Sequence, residues 1–141
     1  MEKTTSELLN ILKSKKSYNE FFEEEVGELS FASISDYLEI LINEKKLKKS
    51  EVIKKSNLDK NYAYQIFNGT KTNPSRDKML MLAIGMGLNL EETRKLLKIC
   101  QLSDLYVRDP RDSIIIFSLD KGATLMETNE KLHDFSLEIL E

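Results

Sequence analysis

LKKSEVIKKSNLDKNYAYQIFNGTKTNP, residues 47–74, decides the reading of this chain. It divides into two short helices, a tight turn between them and a basic loop after them. Val52 and Ile53 stand side by side and point to one side of the first helix. Ala63 and Ile66 are three apart and share the inner face of the second. Between the helices come Ser56, Asn57, Leu58 and Asp59. Asn tolerates the left-handed conformation that ends a helix, and Asp caps the next one by accepting from its free amides. The second helix, residues 60–67, then turns Lys60, Asn61, Tyr62, Tyr64 and Gln65 outward. Those side chains are mostly hydrogen-bonding types suited to base edges. Asn68 and Gly69 stop the helix.

The charge distribution points the same way. The chain has 141 residues and a net charge of −3, which by itself argues against a nucleic-acid binder. That total hides a division: residues 1–44 carry −6, residues 45–78 carry +7 and residues 79–141 carry −4. A local cationic surface gains affinity for phosphates by releasing counterions, whatever the total charge. The acidic flanks should keep that affinity modest and salt-sensitive.

These residues resemble the helix-turn-helix of the phage-repressor type, the XRE (Cro-like) family. Its pattern is roughly L-S-Q-E-E-L-A-E-K-x-G-V-S-x-x-x-I-S-x-I-E-x-G, then Pro and a further helix. This chain reads L-K-K-S-E-V-I-K-K-S-N-L-D-K-N-Y-A-Y-Q-I-F-N-G without a gap. The resemblance implies five helices over residues 33–100, the second and third forming the DNA-reading unit. Carried over by position, Lys60, Asn61, Tyr64 and Gln65 fall where family members touch bases, and Tyr62 joins them as a contact to thymine methyls or phosphate. Lys48, Lys49, Asn68 and Lys71 fall where they touch phosphates, with Thr70 in the same loop. The chain departs from the pattern at four places. Lys48 stands where a Ser or Thr cap is usual, Asn57 replaces the turn Gly, Phe67 replaces a Glu, and the loop 69–74 is about one residue longer. The Phe67 change matters most, because an aromatic there can turn inward or make another contact.

Around this unit the pattern is helical. Hydrophobic residues are 40%, while Gly and Pro are 5 and 2, a composition that suits packed helices. Residues 5–17 read as a short helix, and 18–30 as an acidic, aromatic connector or a second short helix. Its Glu23, Glu24 and Glu25 could compete with DNA for the basic patch, as an inhibitory arm. Ser33, with Asp36 three later, opens a helix to Lys46 whose stripe is Ile34, Leu38, Leu41 and Ile42. Asn73 and Pro74 are expected to open the next helix, which runs to about Met86 and stops at Gly87. That helix is apolar nearly all round, so a C-terminal lobe or a second subunit must cover its far face. Asn89 with Glu92 caps the helix that follows.

A shift of 35 overlays residues 75–102 on 110–137. Arg76 and Asp77 meet Arg111 and Asp112, Gly87 meets Gly122, Thr93 meets Thr128 and Leu97 meets Leu132. The reading is a helix pair used twice. Asp109 and Pro110 open the copied first helix, which makes SIIIFSL, residues 113–119, helix rather than strand. Thr124 and Glu127 form the capping box of the second.

No constellation for catalysis is found. His133 is the single histidine, beside Asp134, and Cys100 lies on an apolar stripe. Gly85-Met86-Gly87 lacks the strand and third Gly of a dinucleotide site. No catalytic residue, metal or cofactor is therefore expected. No apolar run approaches the ~20 residues of a membrane helix. The N-terminus lacks a signal peptide's apolar core, and one cysteine fits a reducing compartment. A cytoplasmic protein without membrane contact is expected.

The sequence thus predicts an all-α chain. Residues 1–32 form an N-terminal helix and acidic connector, 33–102 a five-helix phage-repressor-like helix-turn-helix domain, and 103–141 a helical hairpin packed on it. The expected function is that of a sequence-specific double-stranded DNA-binding transcriptional regulator, bacterial or phage. It is expected to act as a homodimer whose dimer surface is the hairpin. The alternative is a protein–protein interaction module, adaptor or antitoxin-like, with a protein partner bound through the acidic or C-terminal regions.

Overall fold

The computed structural model describes residues 3–25 and 33–141. Every regular element among them is an α-helix. They fall into two compact units, Met1–Phe31 and Ala32–Glu141.

In the first unit, α1 spans Thr5–Ser14 and α2 spans Tyr18–Glu25. Thr4 Oγ1 accepts from the Glu7 amide at 3.1 Å and starts α1. The helix expected to reach residue 17 ends at Ser14, where Lys15 turns to extended backbone. Lys15 then pairs with Glu24, and Lys3 Nζ donates to Glu25 Oε1 at 2.6 Å. The stretch expected as connector or short helix is helical up to Glu25; its remainder, residues 26–30, lies outside the described residues.

The second unit holds α3 Ile34–Lys45, α4 Lys49–Ser56, α5 Lys60–Phe67, α6 Arg76–Met86, α7 Leu90–Ile99, α8 Pro110–Lys121 and α9 Leu125–Asp134. Ser33 Oγ accepts from the Asp36 amide at 3.2 Å, and α3 buries Ile34, Leu38, Leu41 and Ile42, the expected stripe. Tyr37 is buried with them, its hydroxyl donating to the Glu92 carbonyl at 3.4 Å. Burial pushes that phenol well above the usual range.

One start is displaced from its expected place. Pro74 does not open α6: Ser75 Oγ accepts from the Lys78 amide at 3.3 Å, so α6 begins at Arg76 with Pro74 buried just before it. A hydroxyl cap satisfies one of the free amides of the first turn, which proline cannot do. The two hairpins end their first helices alike, at Gly87 and Gly122, both left-handed with φ 69° and 67°.

Helix α6 is the centre. All of its residues from Met79 to Met86 are buried, because α4, α7 and α9 pack round it. The closest approach is at Gly85. A Cβ built there would stand 2.0 Å from Ser56 Oγ and 2.8 Å from the Val52 carbonyl oxygen. Ser56 is itself buried, its hydroxyl donating back to that carbonyl at 2.6 Å. Hydrogen bonding within α4 thus removes the polar cost of pressing a serine onto α6.

Gly85→Ala tests this seam. Alanine favours a helix interior over glycine by up to ~1 kcal/mol. Overpacking against backbone that cannot move aside costs about 1–3 kcal/mol or more. The clash wins, so the variant should melt several degrees lower by circular dichroism. An unchanged or raised melting temperature would mean that α4 is not held at this distance.

Candidate nucleic-acid interface

Helix α5 is built from its inner face outward. Ala63, Ile66 and Phe67 are buried against the unit, with α3 the neighbouring helix. The turn before it is residues 57–59. Asn57 is left-handed at φ 53°, Leu58 is buried, and Asp59 Oδ2 accepts from the Tyr62 amide at 3.0 Å. A β-carbon at φ 53° is strained, and Asn bears that strain better than most residues because its short amide can bond locally.

Phe67, the departure from the family pattern, turns inward: it is 5% exposed. Lys49 Nζ stands 5.5 Å from the centre of its ring and 2.5 Å from Glu39 Oε1. The first residue of α4 is therefore tied to α3 by charge and to α5 by its cation on an aromatic face. These contacts place Lys49 between α3 and α5.

The opposite face of α5 is open. Lys60, Asn61 and Gln65 are exposed, and Tyr64 is 37% exposed. With Asn68 they fall at helical spacings of three and four, so their ends emerge side by side. Tyr62 is placed differently. It is half-buried, with Lys71 Nζ 5.4 Å from its ring centre, so it flanks this face.

The expected phosphate contacts surround the same helix. Lys48 is exposed at the start of α4 and makes no side-chain cap to its first-turn amides. Lys49 is half-buried in its contacts to Glu39 and Phe67. Asn68 Oδ1 accepts from the Thr70 amide at 2.9 Å, and the Lys71 amide donates to the Gln65 carbonyl at 2.9 Å. Those bonds fold residues 68–71 back against the end of α5. Gly69, at φ 84°, lets the chain turn there, and a Cβ would come within 3.2 Å of Ser35 Oγ on α3. Two contacts carry no signal in the sequence: the lysine–aromatic stack on Tyr62 and the Glu39 partner of Lys49. Both reach across a turn between elements rather than along one helix.

Other grooves have weaker chemistry. A groove of about 890 Å³ runs between the end of α4, the end of α6 and the α8–α9 turn. Its rim mixes Lys54 and Lys55 with Glu130, His133 and Asp134. Cys100 lines a small cleft of about 220 Å³ beside Ser33 and Lys71. Among the described residues, no three His, Cys, Asp or Glu side chains are grouped as a metal site needs. Among them too, no helix is long and apolar enough to cross a membrane.

No family model, curated protein or solved structure matches this chain.

Burial pushes the Cys100 thiol up to about 12. It should stay protonated at pH 8, and thiols react as thiolates. Alkylation by iodoacetamide at pH 8, followed by mass spectrometry, should be far slower in the folded chain than in denaturant. Equal rates in the two conditions would show an open, ordinary thiol.

Proposed function

We propose that α3 to α7 form the five-helix phage-repressor-like domain and that α5 enters the major groove of double-stranded DNA. The chain then acts as a sequence-specific transcriptional regulator of the bacterial or phage type. One observation carries this reading: Lys60, Asn61, Tyr64 and Gln65 lie exposed on one face of a short helix whose opposite face is buried. That helix sits in the stretch 45–78, which carries +7.

The chemistry fits base edges. Lys60 suits the O6 and N7 acceptors of guanine, and Asn61 and Gln65 can each pair with the N6 and N7 edge of adenine. Tyr64 offers a ring to a thymine methyl or a hydroxyl to phosphate. Each good pair is worth about 1–3 kcal/mol of discrimination. Lys48 and the first amides of α4 would hold one phosphate strand. Lys71, Thr70 and the free amide group of Asn68 would hold the chain on the other side of the groove. Tyr62, flanking the face, would meet sugar or phosphate.

A protein-docking module on the same scaffold is the second reading. It is favoured by the pairing of Lys49 with Glu39, which ties up one expected phosphate contact.

A mobility-shift assay with random duplex at two salt concentrations separates the readings. Phosphate binding gives a steep fall in affinity with salt, by nearly one power per contact. A flat dependence would favour the protein partner. With a site selected from a random pool, Lys60→Ala with Gln65→Ala should lose most of the preference for that site over random DNA, with helicity unchanged. Retained preference would remove α5 as the reader.

Glu39→Gln should release Lys49 to the phosphates. Non-specific affinity should rise and the salt slope steepen by up to about one unit. A fall in affinity would mean that Glu39 acts by positioning α4.

A further inference from the structure

The duplicated hairpins do more than resemble each other. Arg76 Nε donates to the Ser103 carbonyl at 3.0 Å and its Nη2 to the Asp104 carbonyl at 3.1 Å. At the same places one repeat later, Arg111 Nε donates to the Glu138 carbonyl at 2.9 Å and its Nη2 to the Ile139 carbonyl at 3.2 Å. Each arginine so binds the tail of its own hairpin. Each then crosses to the other. Arg76 makes two bonds to the Asp112 carboxylate, at 3.1 and 2.9 Å. Arg111 makes two bonds to the Asp77 carboxylate, both 2.9 Å.

Arg76 corresponds to Arg111 and Asp77 to Asp112, so the two crossings are one contact made in both directions. The helices follow the same rule: α6 meets α9, and α7 meets α8. When position i of one copy meets j of the other, and j meets i, the two are related by a twofold axis. This is how two identical subunits pair, here within one chain.

The copies differ where the twofold does not need them alike. Leu80 and Ile115 are buried in both, as are Leu97 and Leu132. On the face of α6 that takes α4, Leu82 is 0% exposed, yet its counterpart Phe117 is 55% exposed, and Gly85 corresponds to Asp120. The second copy is closed on the side turned to the first and open to water on the side where the first receives α4.

We propose that α6–α7 carries a surface fitted to a second copy of itself, and that α8–α9 fills this surface from within the chain. The protein carries its own partner and is single-headed through this face. Short connectors give effective concentrations near the millimolar range, so a second chain at micromolar concentration is outcompeted by roughly a thousandfold. The hairpin expected from the sequence to pair two chains is thereby taken up by α6–α7 of its own chain. If α5 reads DNA as proposed above, one chain then meets one short site without inverted symmetry.

The mass of the full chain by light scattering is the test. The wild type should give the 16.3 kDa of one chain throughout the micromolar range. Arg111→Asp with Asp112→Arg sets like charges against Asp77 and Arg76. It should release α8–α9, let two α6–α7 surfaces pair through intact Arg76 and Asp77, and double the mass. Adding Arg76→Asp and Asp77→Arg restores opposite charges within the chain and should return the one-chain mass. The proposal fails if the wild type is a dimer, or if the first variant stays folded at one-chain mass. Should the first variant precipitate, Asp112→Asn decides, because it leaves Arg76, Asp77 and the arginine bonds to both tails in place: a two-chain species that grows with concentration upholds the proposal, and one-chain mass throughout overturns it. No DNA enters this measurement. A one-chain mass with no DNA binding would sink the functional reading alone, and a dimer that binds DNA would sink this proposal alone.

Discussion

Helix α4 can lie against α6 only because α6 has no side chain at Gly85, where Ser56 of α4 enters with its hydroxyl bonded within its own helix. The rest of the second unit depends on this approach. With α4 held on α6, residues 57–59 leave from a fixed point, and α5 starts at Asp59 in a fixed direction. Phe67 then seats the far end of α5 under Lys49, which Glu39 holds from α3. Two small residues in contact therefore set where α5 begins, and Lys49 touches both α3 and α5 beside the exposed face. Neither contributes much hydrophobic area, and both act through geometry.

Most of the framework was legible because caps and stops are local. Asn57 left-handed, Asp59 as cap, Gly87 and Gly122 as stops, and the capping boxes at Asn89 and Thr124 all stand where their residue types required. The repeat was legible in the same way: the glycine stops and the capping boxes recur 35 residues apart. What escaped was set by contacts distant in sequence. Arg76 and Arg111 were seen as markers of a repeat, but nothing in a single frame says that each would pair with the other's aspartate. Gly85 reads as a weak point in a helix until a neighbour is known. The start of α6 moved because Ser75 can cap and Pro74 cannot, a choice between adjacent residues that spacing leaves open.

The candidate face follows a different logic. Lys60, Asn61, Tyr64 and Gln65 are picked out by periodicity together with the family resemblance, and their exposure follows from the burial of Ala63, Ile66 and Phe67 behind them. Tyr62 and Lys49 lie beside that face, and each is engaged by a neighbour through its charge or its ring. Periodicity says which way a side chain leaves the helix. It does not say what the side chain meets on arrival.

The two ends of α6 carry different kinds of fixing, and that difference bears on how the unit works. At its start, two guanidinium–carboxylate pairs join it to the start of α8 by directional bonds. Planar, two-point bonds of this kind specify one orientation. Near its end, Gly85 meets α4 by shape alone, where a misfit costs steeply and no direction is favoured. A helix clamped by direction at one end and by contact at the other has little freedom to rotate or slide. The frame of α5 is thereby set by residues outside its exposed face. Lys60, Asn61 and Gln65 can then be exchanged for other polar side chains with little effect on the fold, because none of them supports it. A surface that must be selective gains from this separation: its chemistry can change while its position stays fixed.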